Sequence, residues 1–198
     1  MDDGLPRRWY GHFLDLLQQD WEGAAELREA SVNSQLGRWT TALTDAVVQS
    51  FADLGMLCAA KGHRLDLFPE RNEEYLGMDV SAFADDPSQR WQFPTAVCEL
   101  ENSNRDDRVA YSLWKVMCVR TDLRVVFCYR RSMDDAEPLV TKLADEVVGV
   151  LPTEERMDVR GETIVAVGAR GESAMFPYGF FKAWKLEMNT GRFGRFDR

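Results

Sequence analysis

Histidine and cysteine, which supply most protein zinc sites, are scarce in this sequence. It contains only His12 and His63, and its four cysteines are scattered without a C-x-x-C pair. This spacing argues against a zinc site and against a disulfide framework. We therefore expect buried, reduced thiols and a cytoplasmic location, since persistent disulfides belong to oxidising compartments.

Long apolar runs and several common catalytic motifs are also missing. No run approaches the roughly 20 residues that a membrane-spanning helix needs, and the first residues lack the apolar core of a secretory signal. The sequence has no G-x-x-x-x-G-K-[ST], no G-x-G-x-x-G and no G-x-S-x-G. We expect no membrane partner. An α/β enzyme unrelated to the one argued below stays open as an alternative.

Basic residues are outnumbered by acidic ones. The chain has 24 Lys and Arg against 33 Asp and Glu, for a formal net charge of −9. Nucleic-acid-binding proteins usually carry a basic surface, which this composition does not suggest. A local basic strip can nevertheless coexist with acidic faces, and a bound metal can neutralise an acidic cluster.

Apolar residues recur with helical spacing in some segments and form short strand-like runs in others. Helices are predicted over 6–30, 34–54, 107–120 and 136–151, with Gly55 ending the second. Strands are predicted over 56–68, with a bend or break near Gly62, and over 75–83, 93–103, 123–129 and 162–169, followed by a tail that begins strand-like and ends basic. Such alternation predicts one α/β domain over residues 1–198, with a central mixed sheet flanked by helices.

Acidic side chains interrupt two of the apolar strands. Asp79 lies in LGMDVSAF, and Glu99 and Glu101 lie in AVCELEN. The i, i+2 spacing places the two glutamates on one strand face, with Cα atoms about 6–7 Å apart. If the strands are neighbours, Asp79 can complete a carboxylate site for Mg²⁺ or Mn²⁺. The alternative is a solvated acidic face.

The order helix, three strands, helix, strand resembles the restriction-endonuclease-like, or PD-(D/E)xK, nuclease superfamily. Asp79 in LGMDVSAF matches the first acid of the family motif, and Glu99 in CELEN matches the second. The resemblance covers approximately residues 34–130. It implies a restriction-endonuclease-like core there, an N-terminal helical extension over 1–33, and a C-terminal helix and strands over 131–198 that complete the sheet.

The chain departs from the family pattern at two positions. Met78 stands where the family has Pro, and Glu101 stands where it usually has Lys, which makes an E-x-E variant. Some members of the superfamily carry E-x-E, and some place the lysine on the next helix, where this chain has Lys115 in YSLWKVM. Lys115 could instead be a solvated surface lysine. The strand is followed by Asn102 and Ser103, which could contact substrate or cap the following helix.

The resemblance implies a metal-dependent phosphodiesterase acting on nucleic acid, most naturally DNA. Asp79, Glu99 and Glu101 would be its metal ligands and Lys115 its charge-stabilising group. The alternative is a degenerate nuclease-fold protein that acts as a binding or interaction subunit, with aromatic anchors at Trp9, Tyr10 and Trp21. A homodimer or a place in a larger complex is compatible with either function.

Two basic segments remain ambiguous. The C-terminal tail mixes aromatic residues with Lys182, Lys185, Arg192 and Arg195, a combination that can stack bases and hold phosphates. An amphipathic edge strand followed by a frayed tail is the favoured interpretation. The Arg130–Arg131 pair after VVFCY is interpreted as a solubilising pair at a strand end.

Overall fold

A computed structural model describes residues 4–19, 22–68, 73–86, 88 and 91–197. Helices in the described part of the chain are α1 (Leu5–Gln18), α2 (Glu22–Val32), α3 (Leu36–Ala52), α4 (Asp106–Met117), α5 (Ala136–Leu143) and α6 (Thr153–Asp158). The strands are β1 (Met56–Ala60), β2 (Val80–Ala84), β3 (Ala96–Leu100), β4 (Leu123–Arg130), β5 (Glu162–Ala169), β6 (Phe181–Glu187) and β7 (Arg192–Phe196).

Within these residues the seven strands form one mixed sheet in the order β1-β2-β3-β4-β5-β6-β7. The central strands β3, β4 and β5 are parallel, and every other neighbouring pair is antiparallel. The helix α4 connects β3 to β4, as a crossover between parallel strands requires. The prediction of an α/β fold with helices flanking a mixed sheet and helices at the N-terminus is confirmed.

Two apolar layers cover the sheet, one on each face. The first layer packs α1 and α3 against the sheet around Trp9, Phe13, Trp39 and Phe51. The second packs α4 and α5 around Val109, Leu113, Leu139 and Val140. Strand β3 contributes to both layers, because Cα–Cβ bonds alternate across a strand. Ala96, Cys98 and Leu100 face the first layer and Val97 the second, which confirms the predicted alternation.

The single helix predicted over 6–30 is wrong. Helix α1 ends at Gln18, because Gln19 has an extended backbone with φ −70° and ψ 156°. The apolar spacing runs across the break without interruption, so periodicity could not reveal it.

The prediction that Trp9 and Tyr10 are aromatic anchors for a partner protein is also wrong, because both side chains are buried in the first layer. Trp21 lies outside the described residues.

The strand predicted over 75–83 is shorter than expected. Tyr75–Gly77 form a 3₁₀ turn, and β2 begins only at Val80. Leu76 has φ 58° and is 65% exposed, so it does not continue the buried alternation. Asp79 therefore stands immediately before the strand and not inside it, which leaves its side chain at the end of the β2–β3 ladder.

The C-terminal tail is a β-hairpin, β6–β7, at the edge of the sheet, and so its second half is not frayed. Three of its cations have acidic partners. Lys185 pairs with Glu162, Arg192 with Asp145 at 2.5 Å, and Arg195 with Asp197. This supports the edge-strand interpretation over a nucleic-acid strip. In the described residues, no helix is long and apolar enough to cross a bilayer.

The prediction of buried thiols holds for only part of the set. Cys98 and Cys128 are buried, and Cys58 is partly buried. Burial raises the pKa of Cys58 and that of Cys128 to about 12, so both remain thiols at neutral pH. Cys118 is exposed, because it caps the end of α4 on the solvent side.

Candidate active site

Asp79 and Glu99 are brought together by the antiparallel pairing of β2 with β3. Val80 pairs with Cys98, and one further step in this register places Asp79 opposite Glu99. The backbone amide of Leu100 donates to Asp79 Oδ2 at 2.7 Å. The neighbouring-strand arrangement expected for these two acids is therefore present, with Asp79 held by the backbone of the strand that carries Glu99.

Lys115 reaches the same place from helix α4. Val109, Leu113 and Val116 of this helix are buried against the sheet, which turns the neighbouring Lys115 along the helix flank towards β3. Its Nζ donates to Glu99 Oε1 at 2.8 Å and also to the carbonyl oxygen of Gly77. The lysine is thus part of the acidic site and not a solvated surface residue.

The two carboxyl groups are hard to ionise where they stand. Burial is the main cause that raises the pKa of Asp79, and the Leu100 amide and the Lys115 charge oppose it. Burial likewise raises the pKa of Glu99, and the hydrogen bond from Lys115 opposes it. In addition, the charge of Asp79 raises the pKa of Glu99 by like-charge repulsion. An additional cation at this place would therefore favour the ionised form of both carboxyl groups.

Glu101 is the third acid predicted for this site, and its carboxylate is engaged by a backbone amide. It lies just beyond β3, where its amide donates to the Phe127 carbonyl at 2.9 Å. Its carboxylate accepts the Ser103 amide at 2.7 Å, and its charge raises the pKa of Asp79. In the described part of the chain, no three His, Cys, Asp or Glu side chains are placed to hold one ion together. Glu101 as a metal ligand stays a prediction.

The residues that follow β3 are held by the protein itself. Asn102 Nδ2 donates to Thr40 Oγ1 at 2.7 Å, and Asn102 Oδ1 accepts from Arg170 at 2.8 Å. Ser103 Oγ accepts the Arg105 amide just before α4, at 3.1 Å. Ser103 therefore orders the turn before α4, but the prediction that it caps the helix is wrong, because the N-cap is Arg105 and no described side chain caps α4.

An apolar groove beside Lys115 was missed by the sequence analysis. It has a volume of about 330 Å³, and its walls include Leu76, Phe93, Trp114 and Arg120. Trp114 is 53% exposed and Phe93 is 70% exposed, while the Arg120 guanidinium lies 5.1 Å from the Phe93 ring centre. The available signal was a tryptophan adjacent to the lysine in YSLWKVM, on a helix whose buried stripe lies elsewhere.

A second, larger cavity was also missed. It has a volume of about 520 Å³ and is lined by Asn102, Arg130, Arg131 and Arg170 among others. Arg130 is only 11% exposed and donates to Asp106 at 2.5 Å, so the interpretation of Arg130–Arg131 as a solubilising pair is wrong for Arg130. Sequence could not reveal this cavity, because Arg130 and Arg131 lie at the end of β4 whereas Arg170 follows β5.

The donor set of Asp79 and Glu99 fits a divalent cation. Mg²⁺ is usually bound through one or two carboxylates, with water and substrate phosphate completing its shell. The two side chains are adjacent and largely buried. Burial raises the pKa of each, and a divalent cation would offset that effect by stabilising the ionised carboxylates. Comparisons of this chain with protein-family models, curated proteins and solved structures gave no match.

Proposed function

We propose that the protein is a metal-dependent phosphodiesterase that cleaves nucleic acid. The observation that carries the proposal is the meeting of Asp79, Glu99 and Lys115, which come from the start of β2, from β3 and from α4. Two largely buried carboxylates beside an ammonium group can hold a hard cation and stabilise charge on a phosphate.

The proposal extends to a restriction-endonuclease-like core. In support, the described elements from α3 to β4 follow the order helix, three strands, helix, strand. Asp79 and Glu99 stand at the two acid positions of the family motif, and Glu101 makes the E-x-E variant. Lys115 supplies from the helix the lysine that is missing from the strand. A cation held there is Mg²⁺ or Mn²⁺.

The roles of the residues follow from their contacts. Asp79 and Glu99 would hold the metal ion, which would lower the pKa of a bound water and polarise the scissile phosphate. Lys115 donates to Glu99 Oε1 in the metal-free protein, and with Glu99 engaged by the metal it would donate to a phosphate oxygen instead. Its positive charge stabilises the negative charge that develops during attack on phosphorus. Glu101 orients the attacking water or binds a second ion.

Nucleic acid is the proposed substrate because the groove beside Lys115 combines aromatic and basic groups. Trp114 and Phe93 offer exposed ring faces, and Lys115 and Arg120 place positive charge at the same groove. Exposed aromatic rings stack unpaired bases, and basic side chains follow the phosphates. This local composition contrasts with the formal net charge of −9 for the chain.

The decisive experiment is a cleavage assay on single- and double-stranded DNA and on RNA, with Mg²⁺, with Mn²⁺ and with EDTA. Wild type should cleave at least one substrate only when metal is present. Asp79→Asn, Glu99→Gln and Lys115→Met should each lower the rate about 100-fold or more. Glu137→Gln, an exposed acid on α5, is the matched control and should keep full activity.

Activity that persists in both Asp79→Asn and Glu99→Gln would rule out this assignment. Correct folding of each variant is checked by circular dichroism and by cooperative thermal unfolding. These controls separate loss of chemistry from loss of structure.

A second function is favoured by one observation, the ion pair between Lys115 and Glu99. A carboxylate that is already neutralised by an ammonium group suits a site that has lost its metal and acts in binding. On this alternative the protein is a non-catalytic interaction subunit, and Mn²⁺ does not stabilise it. No cleavage and no stabilisation by metal, measured together, would favour the interaction subunit over the nuclease.

A further inference from the structure

The larger cavity lies beyond the carboxyl ends of the three central parallel strands β3, β4 and β5. Asn102 follows β3, Arg130 is the last residue of β4, and Arg170 is the first residue after β5. The register confirms the common edge, since Arg130 pairs with Ala169. In α/β sheets, ligands bind in the crevice outside the carboxyl ends of parallel strands.

The wall of this cavity is positively charged in an acidic protein. Arg130, Arg131 and Arg170 line it, and Asp135 is the acidic residue among its lining side chains. The Asp135 carboxylate already accepts a hydrogen bond from Ser132 Oγ at 3.0 Å. Arg130 already pairs with Asp106, so Arg131 and Arg170 are the two arginines of the wall that face Asp135 without an ion pair of their own among the described residues. This local positive charge, on a chain with net charge −9, indicates a site for an anion.

Two contacts hold Arg170 in place. Its guanidinium lies 4.2 Å from the Tyr129 ring centre and donates to Asn102 Oδ1 at 2.8 Å. Tyr129 is itself fixed, since its hydroxyl accepts from Trp39 Nε1 at 2.8 Å. A stack and a hydrogen bond therefore hold the guanidinium in one orientation before any ligand arrives, which lowers the entropy cost of binding.

The charge of Arg170 has no counter-ion in the described structure. Its hydrogen-bond partner is a neutral amide, and burial lowers its pKa, although a guanidinium stays protonated. In the described residues, neither Arg170 nor Arg131 forms an ion pair with an acidic side chain. An anion would restore the stabilisation that burial has removed from Arg170.

We propose that this cavity binds a phosphate group carried by a ligand of nucleotide size. Arginine presents a planar set of donors that matches phosphate oxygens in a bidentate manner. A volume of about 520 Å³ exceeds what inorganic phosphate needs and falls in the range of small-molecule pockets. Asn104 supplies a neutral hydrogen-bonding group at the same wall for the uncharged part of the ligand, while the Asn102 amide is engaged by Thr40 and Arg170.

The test is isothermal titration calorimetry with adenosine 5′-monophosphate, with inorganic phosphate and with adenosine, all in EDTA. Excluding metal separates this site from the carboxylate site, so the outcome does not depend on nuclease activity. Arg170→Gln and the exposed Arg131→Gln should each weaken binding of the monophosphate about tenfold or more. Arg195→Gln on the edge strand β7 is the matched control and should leave the affinity unchanged.

Binding of both phosphate-containing probes, with adenosine inactive, supports the proposal. It is overturned if the monophosphate does not bind at millimolar concentration, if adenosine binds equally well, or if Arg131→Gln and a folded Arg170→Gln both keep wild-type affinity. A short oligonucleotide with a 5′-phosphate is then compared with its 5′-hydroxyl form. Preference for the phosphorylated form assigns a strand end as the source, and equal affinities assign a free nucleotide.

Discussion

Lys115 Nζ lies 2.8 Å from Glu99 Oε1, and both side chains are largely shielded from solvent. The contact joins a helix to a strand on the second face of the sheet, so it ties the position of α4 to the acidic site. The ammonium group of Lys115 also supplies the buried Glu99 carboxylate with a counter-ion when no metal is bound. A metal ion that binds Glu99 must therefore compete with an ammonium group that is already in place.

Binding of metal should stabilise the folded protein. A ligand that binds only the native state at roughly 100 times its Kd adds about 2.7 kcal/mol, which corresponds to a rise in Tm of about 5–10 °C for a chain of this size. We expect Mn²⁺ to produce such a rise in wild type and not in Asp79→Asn or Glu99→Gln. Differential scanning fluorimetry measures it, with Glu137→Gln as the control that should respond like wild type.

The same measurement tests the role of Lys115. In Lys115→Met the carboxylate of Glu99 no longer has a competing ammonium group, so Mn²⁺ should stabilise this variant at least as much as wild type. A Lys115→Met variant that folds but gains no stability from Mn²⁺ would argue against the proposed competition at Glu99.

Removal of the Asp79 charge should stabilise the metal-free protein at neutral pH. Burial raises the folded-state pKa of Asp79, so the unfolded chain loses this proton first as the pH rises from about 4. Wild type therefore loses stability through Asp79 from there up to the raised folded pKa, and Asp79→Asn lacks this contribution. Its amide oxygen still accepts the Leu100 amide. We expect a higher Tm than wild type at pH 7 in EDTA and an equal Tm near pH 4. A lower Tm at pH 7 would contradict the assigned burial cost.

Loss of an exposed ring beside Lys115 should weaken nucleic-acid binding. Trp114 is half-exposed in the apolar groove, and base stacking contributes about 1–3 kcal/mol per base. Trp114→Ala should raise the Kd for single-stranded DNA about tenfold or more, as measured by fluorescence anisotropy. Tyr178→Ala removes an exposed ring after β5 and should have no effect. An equal loss in both variants would exclude a specific role for the groove.

Two glycines with the same backbone conformation should tolerate alanine differently. Gly55 and Gly161 both have φ +79°, but an added Cβ meets nothing within 4 Å at Gly55, whereas at Gly161 it overlaps the Thr121 carbonyl oxygen. Gly55→Ala should cost about 1–2 kcal/mol of unfolding free energy. Gly161→Ala should cost a further 1–3 kcal/mol, roughly, from overlap. Urea denaturation measures both, and equal costs would show that the backbone before β5 moves freely.

Elements with strong periodicity were predictable. The buried stripe Val109, Leu113 and Val116 identified α4, and the continuous apolar run of β4 identified a strand covered on both faces. The alternation of side chains along β3 also assigned Glu99 to one face of that strand. Boundaries were less predictable, because the turn at Leu76 and the break at Gln19 interrupt apolar patterns that continue through them.

Sequence by itself determined the buried stripe of α4 and the alternation of faces along β3, since these depend on local spacing, and it singled out Asp79 and Glu99 as charges in apolar surroundings. Tertiary structure alone decided which charges meet. Lys115 reaches Glu99 because α4 packs on the face of the sheet that carries the Glu99 side chain. Arg130 and Arg170 share a cavity because the parallel strands β4 and β5 end on the same side of the sheet. Such contacts depend on the packing of distant segments, which no local spacing encodes.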